Sequence, residues 1–171
     1  AVLAARGARV VALDLGLNLT TYTGARYRCR PVTGSLLDLP FAGDTFDVVL
    51  SSEAIEHTPD PAVGVRELSR VLKPGGHLVL STPNRLWQVP VRIASRLKLR
   101  PYDGLENFMT PRALRRAVAQ GGLSLAAHKG IHLLPFQFAF LWPALRGLDR
   151  FGGPLLPLMI NQCIHATKGT R

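Results

Sequence analysis

Two carboxylates and an imidazole lie close together in the segment SSEAIEHTPDP, residues 51–61. Glu53, Glu56 and His57 are spaced i, i+3 and i+4, so on a helical turn all three side chains share one face. Such a set could hold a divalent cation, because carboxylate oxygens and imidazole nitrogens are common metal ligands. Alternatively, His57 could act as a general base toward a hydroxyl or phenol. A third interpretation needs no chemistry, since acidic residues in a first helical turn favour the helix dipole.

A second acidic residue ends the apolar run ARVVALD, residues 8–14. Asp14, at the tip of a strand in a nucleotide-binding unit, would be placed to accept hydrogen bonds from ribose hydroxyls. Aspartate also caps helices, so the position alone leaves both roles open.

The segment GSLLDLPF, residues 34–41, could contact an adenine ring. The Asp38 carboxylate could accept from the amino group, and the Leu39 backbone N–H could reach a ring nitrogen, with Leu37 and Leu39 against the ring faces. The alternative is a turn-initiating aspartate ahead of Pro40.

The elements that would carry these residues alternate between strands and helices. Short apolar runs at 8–14, 46–52 and 77–83 predict strands buried on both faces, and 27–34 predicts a weaker edge strand because Pro31 removes a ladder donor. Two further strands are predicted within 123–132 and 159–168, and Gly7 lies where a helix C-cap would fall. The alternation predicts an α/β fold with a mostly parallel sheet, in which ligands bind at the carboxyl ends of the strands.

Two helices have clear start and stop signals. One is predicted from about Asp60 to Lys73, with Asp60 as cap, Pro61 in the first helical position and KPGG after it. The other begins at the Thr110 cap and ends at the glycine pair 121–122.

The aromatic, proline-rich segment 133–158 could form a substrate lid, a membrane-facing element or a helix packed on the core.

Composition narrows the class of protein. A chain of 171 residues with 47% hydrophobic content can bury a core, which argues against disorder. Cys29 and Cys163 are too few for a disulfide framework and predict reduced, buried thiols. No apolar run is long enough to span a bilayer, and the opening residues do not resemble a secretion signal. The net charge of +10 favours anionic partners, but the basic residues are scattered and do not identify one.

Taken together and in this order, these pieces resemble the class I S-adenosylmethionine-dependent methyltransferases. The resemblance implies S-adenosylmethionine as methyl donor, with Asp14 at the ribose, Asp38 and Leu39 at the adenine, and Ser52 on the methionine side. It covers most of residues 1–132 and is carried by the stretches ARVVALDLG, GSLLDLPFAGDTFDVVLSSEAIEHTPDP, ELSRVLKPGGHLVLSTPN and FMTPRALRRAVAQGGL.

Within that family the chain looks most like the quinone-pathway O-methyltransferases. These share the Glu-x-x-Glu-His-x-Pro-Asp-Pro string and a Ser-Thr-x-Asn strand end, here residues 81–84. The resemblance implies a magnesium ion bound by Glu53, Glu56 and His57, a catalytic role for His57, and Asn84 nearby as a site residue.

The family's sheet order is 3-2-1-4-5-7-6 with an antiparallel last strand, which implies a Rossmann-like methyltransferase fold in one domain over 1–171. The family's first strand and its Gly-x-Gly-x-Gly loop would lie ahead of Ala1 and are absent from this sequence. We therefore expect the 8–14 and 46–52 strands to have unpaired inner edges, and the chain to be marginally folded and to bind the cofactor weakly. A further departure is the segment 15–28, which should contain a helix but lacks a helical stripe.

These expectations combine into one function. The protein is expected to methylate the oxygen of a small or lipid-like hydroxylated acceptor, in the cytoplasm and in peripheral contact with a membrane. Two alternatives stay open: a non-catalytic protein with the methyltransferase fold, and an RNA-directed methyltransferase. SSEAIEH in the fourth-strand position weighs against a nucleic-acid base as acceptor, so nucleic acid is not the expected partner.

Overall fold

The structure, a computed structural model, describes residues 2–99, 104–132 and 151–170. Its elements alternate along the chain as the sequence predicts. In chain order they are α1 Val2–Ala5, β1 Val11–Asp14, α2 Leu17–Arg26, β2 Arg30–Thr33, β3 Phe46–Ser52, a 3-10 turn Ile55–His57, α3 Pro61–Arg70, β4 Leu72–Pro83, a 3-10 turn Arg85–Trp87, α4 Gln88–Arg96, α5 Pro111–Gln120, β5 Leu123–Ile131 and β6 Asn161–Lys168.

The described strands form two sheets. β1 and β2 pair in parallel, while the second sheet has the order β3-β4-β6-β5, with β3 parallel to β4 and β6 antiparallel to both its neighbours. This confirms the predicted antiparallel last strand and the expected order on both sides of the gap, 3-2 and 4-5-7-6. Within the described residues no strand joins β1 to β3, so each has one unpaired edge, as expected.

The hydrophobic core lies on one face of the larger sheet, where α3 and α5 pack. On the other face of β3, Val48 and Leu50 are 59% and 61% exposed. The residues of the core are each less than one tenth exposed and come from both helices and from β4, β5 and β6: Val65, Leu68, Leu78, Leu80, Leu114, Val118, Leu123, Ile164 and Ala166.

Both predicted helix caps are present. The Asp60 carboxylate accepts hydrogen bonds from the Ala62 and Val63 amides at 3.0 and 3.2 Å. The Thr110 hydroxyl accepts from the Ala113 amide at 3.1 Å. Gly7 has φ +85°, which fits its predicted place after a helix.

Helix α3 ends earlier than predicted, at Arg70 rather than Lys73. The Arg70 and Val71 carbonyls accept from the amides that lead into β3, with the Asp44 amide on Arg70 at 3.1 Å and the Phe46 amide on Val71 at 2.9 Å. The chain therefore leaves the helix to join the sheet, and β4 begins at Leu72.

The segment 15–28 does contain a helix, α2, despite its β-branched residues. The Thr20 and Thr21 hydroxyls donate to the Leu17 carbonyl at 2.8 and 2.9 Å, and the Thr20 hydroxyl also bonds that of Thr33 on β2 at 2.9 Å. Hydrogen bonds back into the preceding turn let threonine fit a helix. Helix α4 was not predicted from the sequence.

Most of the segment 133–158, residues 133–150, lies outside the described residues, so the lid hypothesis stays a prediction. Residues 151–158 form turns. Cys29 and Cys163 are free thiols, as predicted, but both are half-buried and not buried as expected. Among the helices that the structure describes, none has the length and apolar character needed to cross a membrane.

The Asp60 cap provides a test of the fold. Asp60→Ala removes the acceptor for two amides at the start of α3 and is expected to lower the free energy of unfolding by about 1 kcal/mol in urea denaturation. Asp47→Ala is the matched control, because the Asp47 side chain is 82% exposed and pairs only with Lys73 in the described residues, so its loss should cost much less. Equal losses in the two variants would contradict the cap.

Candidate active site

A cavity of about 640 Å³ lies between β1 and β3. It extends along both strands, from Val11 and Phe46 to their carboxyl ends, and continues past the end of β3. Small-molecule sites have volumes of about 300–1,000 Å³. The cavity brings together most of the residues singled out in the sequence. Its lining includes Asp14, Leu39, Ser52, Glu53 and His57.

Asp14 ends β1, and its carboxylate is half-buried. Its Oδ1 accepts a hydrogen bond from the Gly16 amide at 2.8 Å, which fixes the side chain against the turn into α2. A carboxylate has two oxygens, each with two lone pairs, so Asp14 retains capacity to accept from ribose hydroxyls. The geometry is compatible with the predicted role.

The loop 34–41 differs from the prediction at two positions. The Leu39 amide donates to Oε2 of Glu67 at 2.9 Å, so in this arrangement it is not available to an adenine nitrogen. The Leu39 side chain still lines the cavity, whereas Asp38 is exposed and is not part of the lining. The predicted donor role of Leu39 is therefore wrong as the loop stands, and the role of Asp38 remains a prediction.

A pair on α3 holds this loop. Arg70 donates to the Leu39 and Phe41 carbonyls at 2.9 and 2.8 Å and bonds both carboxylate oxygens of Glu67 at 2.8 Å. The hydrogen bond from Arg70 holds the pKa of Glu67 below its usual value. Sequence analysis missed this role, because the i, i+3 spacing of Glu67 and Arg70 indicates a local ion pair but not a loop attachment.

Glu53 fixes the turn that follows β3. It has φ +48°, a left-handed conformation that is costly for a residue other than glycine. Its amide donates to the Ser81 carbonyl at 3.0 Å, and its carboxylate accepts from the Ser81 hydroxyl at 2.7 Å and from the Asn161 amide at 3.2 Å. These bonds from β4 and β6 hold the strained turn in place.

Glu56 is 1% exposed. Its Oε2 accepts from the Thr82 hydroxyl at 3.0 Å, and its backbone carbonyl accepts from the Asn107 amide at 2.7 Å. Burial raises the pKa of Glu56, and the nearby charge of Glu53 acts in the same direction.

The His57 imidazole has a defined tautomer. Its Nδ1 lies 2.9 Å from the Leu105 carbonyl, which can only accept, so Nδ1 carries the proton in the neutral ring. Nε2 is then the basic nitrogen, and it lies 3.9 Å from Oε1 of Glu56. A ring oriented in this way can accept a proton at Nε2.

The predicted ion site is not formed by these side chains. Both carboxylate oxygens of Glu53 accept hydrogen bonds, from Ser81 and Asn161, and Oε2 of Glu56 accepts one from Thr82. Oε1 of Glu56 approaches the imidazole to 3.9 Å, but Glu53 does not join this pair. Within the ranges that the structure describes, no three His, Cys, Asp or Glu side chains are grouped closely enough to hold a metal ion. The interpretation of the i, i+3, i+4 spacing as one shared face fails because the chain turns left-handed at Glu53 and continues as a 3-10 turn.

Asn84 also has a different role from the one expected. Its side chain is 2% exposed, and its amide nitrogen donates to the Leu156 and Pro157 carbonyls at 3.2 and 3.1 Å. It therefore stabilises the end of β4 against the chain that leads into β6, and it is not among the lining residues of the cavity.

Two serines at the end of β3 line the cavity. The Ser52 hydroxyl lies 3.2 Å from that of Ser81, and its side chain is exposed, which suits its predicted place on the methionine side. Ser51 was not singled out in the sequence. Its hydroxyl is buried and has no hydrogen-bond partner among the described residues, which fits a site where a bound molecule supplies one.

Comparisons with known proteins show similarity to methyltransferases. Residues 1–80 match the family model described as a methyltransferase domain. A probable S-adenosylmethionine-dependent methyltransferase of Mycobacterium tuberculosis is 30% identical over 158 residues, 91% of this chain and 53% of that protein. A ubiquinone biosynthesis O-methyltransferase of Methylococcus capsulatus is 32% identical over 151 residues, 81% of this chain and 63% of that protein. The crystal structure of an S-adenosylmethionine-dependent methyltransferase from Mesorhizobium loti matches with a TM-score of 0.71 at 19% identity, covering 94% of this chain and 80% of that one.

The chain is similar to S-adenosylmethionine-dependent methyltransferases along most of its length, and its fold is the Rossmann-like methyltransferase fold. It spans 53% and 63% of the length of the two curated relatives described above. The predicted resemblance to this family and the predicted fold class are confirmed.

The opposite pKa shifts of two glutamates give a test of the site's electrostatics. Burial raises the pKa of Glu56 in the folded protein, so the fold favours the protonated carboxyl over the carboxylate. The stability that Glu56 contributes is therefore fully present below its unfolded pKa, about 4.3. It is lost as the pH rises through the folded pKa. Glu56→Gln is expected to raise the melting temperature at pH 7 and to remove that loss in a pH series of thermal denaturation.

Glu67→Gln is the matched control with the opposite sign. Because Arg70 lowers the pKa of Glu67, its contribution is present above the unfolded pKa and is lost as pH falls through the folded value. Glu67→Gln should lower the free energy of unfolding at pH 7 by about 1 kcal/mol. A destabilised Glu56→Gln variant at pH 7 would contradict the account of Glu56.

Proposed function

We propose that this protein transfers the methyl group of S-adenosylmethionine to the hydroxyl oxygen of a small or lipid-like acceptor. The observation that carries the proposal is a single cavity holding both the Asp14 carboxylate and an imidazole, His57, with a basic nitrogen of defined position. The methyltransferase relatives support the reaction class. The printed name of one of them, an O-methyltransferase of ubiquinone biosynthesis, supports oxygen as the acceptor atom.

The cavity offers each part of the methyl donor a chemical match. Asp14 would accept from the ribose hydroxyls, the Leu37 and Leu39 side chains would cover the adenine, and the unpartnered Ser51 hydroxyl would gain a hydrogen bond. S-adenosylmethionine supplies an activated methyl group on a sulfonium. The protein's own contribution is to hold acceptor and donor in line and to exclude water.

His57 would take the acceptor's proton at Nε2 as the oxygen attacks the methyl carbon and the carbon–sulfur bond breaks. The products are the methyl ether, S-adenosylhomocysteine and an imidazolium. The Leu105 carbonyl keeps the ring in the required tautomer, and Glu56 Oε1, 3.9 Å from Nε2, lies where its negative charge stabilises the imidazolium.

No step of this mechanism passes through magnesium, because Glu53, Glu56 and His57 are not grouped closely enough in the described residues to hold an ion. An assay with and without EDTA addresses the point directly. Activity that persists in EDTA agrees with the arrangement described, whereas activity lost in EDTA and restored by magnesium would assign the ion a role and require these side chains to rearrange.

Two substitutions separate binding from chemistry. Asp14→Ala is expected to weaken S-adenosylhomocysteine binding about 10- to 100-fold, because it removes a hydrogen bond to a charged group and the free energy of such a bond corresponds to this loss of affinity. His57→Gln should leave that affinity within about twofold and lower kcat about 10²- to 10⁴-fold, the usual contribution of a general base. Binding is measured by calorimetry, and turnover by transfer of radiolabelled methyl to a panel of phenolic and lipid-like hydroxyl compounds.

Because β1 and β3 each have an unpaired edge, we expect weak binding by the 171-residue chain, so the titration extends to millimolar ligand. Asp47→Ala and His77→Gln are the controls, since neither residue lines the cavity. Unchanged affinity in Asp14→Ala, or unchanged kcat in His57→Gln, would contradict the role assigned to that residue.

A further inference from the structure

The segment 85–99 presents large apolar side chains to solvent. It comprises the second 3-10 turn, α4 and the three residues after the helix. We call this surface the 85–99 surface. It has no part in the mechanism above, and residues of this segment do not line the cavity. Five of its large apolar side chains are more than half exposed: Leu86 56%, Val89 63%, Ile93 51%, Leu97 63% and Leu99 70%.

The apolar side chains form one stripe. Val89, Ile93 and Leu97 follow one another at i, i+4 spacing, so they share one side of the helix. The other side is attached to the protein: Gln88 is 7% exposed and its amide donates to the Glu106 carbonyl at 2.9 Å, and the Trp87 indole donates to the Leu158 carbonyl at 3.0 Å. The attachment keeps the stripe directed outward.

Basic residues border the stripe. Arg92 and Arg96, also at i, i+4 spacing, lie one position before Ile93 and Leu97 and are exposed. Arg85 and Lys98 add further positive charge at the two ends, and both are exposed. The sequence from 85 to 99 contains no aspartate or glutamate.

We propose that the 85–99 surface docks the protein onto a lipid bilayer that carries anionic headgroups. An amphipathic helix with an exposed apolar stripe and a basic border lies in the plane of the membrane interface, with its apolar face among the acyl chains and its cations at the headgroups. A second copy of the chain is a poorer occupant, because it would bring the same positive charges against this border. The inference does not depend on methyl transfer.

The test is flotation of the purified 171-residue protein with vesicles of phosphatidylcholine alone and of phosphatidylcholine with 30% phosphatidylglycerol. We expect binding to the anionic vesicles that weakens with added salt. Arg92→Glu/Arg96→Glu should weaken binding at least about 30-fold, because each basic residue contributes about 1 kcal/mol at an anionic surface. Val89→Ser/Ile93→Ser should weaken it about tenfold or more, since it removes exposed apolar area that the bilayer would bury.

Arg112→Glu/Arg116→Glu on α5 is the matched control, with the same change of charge at two exposed positions of equal spacing. Its binding should exceed that of Arg92→Glu/Arg96→Glu by about tenfold or more. All substituted side chains are exposed, and circular dichroism verifies that each variant is folded. The proposal is overturned if the wild-type protein does not float with anionic vesicles, or if both α4 variants bind like the α5 control. It is also overturned if sedimentation shows a dimer that Val89→Ser/Ile93→Ser dissociates while vesicle binding is unchanged.

Discussion

The geometry of the site depends on one strained residue at the end of β3. Glu53 has φ +48°, a conformation that costs about 1–2 kcal/mol for a residue with a side chain. Hydrogen bonds from Ser81 on β4 and Asn161 on β6 hold it there. The turn directs the chain out of the sheet, so that the next few residues bury Glu56 and leave His57 at the cavity. Since the bonding partners come from two other strands, the position of His57 depends on the assembly of the larger sheet.

The same sheet also explains why the cavity lies where it does. Parallel strands that end at one edge bring their terminal residues together, and here β1 supplies Asp14 while β3 supplies Ser52 and leads to His57. The two strands belong to different sheets in the described residues, and each has an edge without a partner. The cavity extends along both edges, so a strand that paired with β1 and β3 would fill the part between the strands and leave the part at their carboxyl ends open.

Elements with a local signal were predictable from the sequence, and contacts between distant residues were not. The caps at Asp60 and Thr110 and the strand 46–52 follow from spacing and residue type, and the resemblance to methyltransferases rests on short motif strings. The attachment of Leu39 to Glu67 and the bond between Glu53 and Ser81 join residues 28 positions apart in the chain, and the bond between Glu53 and Asn161 joins residues 108 positions apart. No periodicity reveals such contacts. The spacing of Glu53, Glu56 and His57 predicted a shared helical face, and a single left-handed residue removed it.

The central claim is that the cavity between β1 and β3 binds S-adenosylmethionine. It is tested most directly by titrating the isotope-labelled chain with S-adenosylhomocysteine and following the backbone amide resonances. The account predicts saturable shifts at Asp14, Ser51, Ser52 and the loop 34–41, with little change on the exposed surface of α5. No shift at millimolar ligand, or shifts confined to residues outside the cavity, would contradict it.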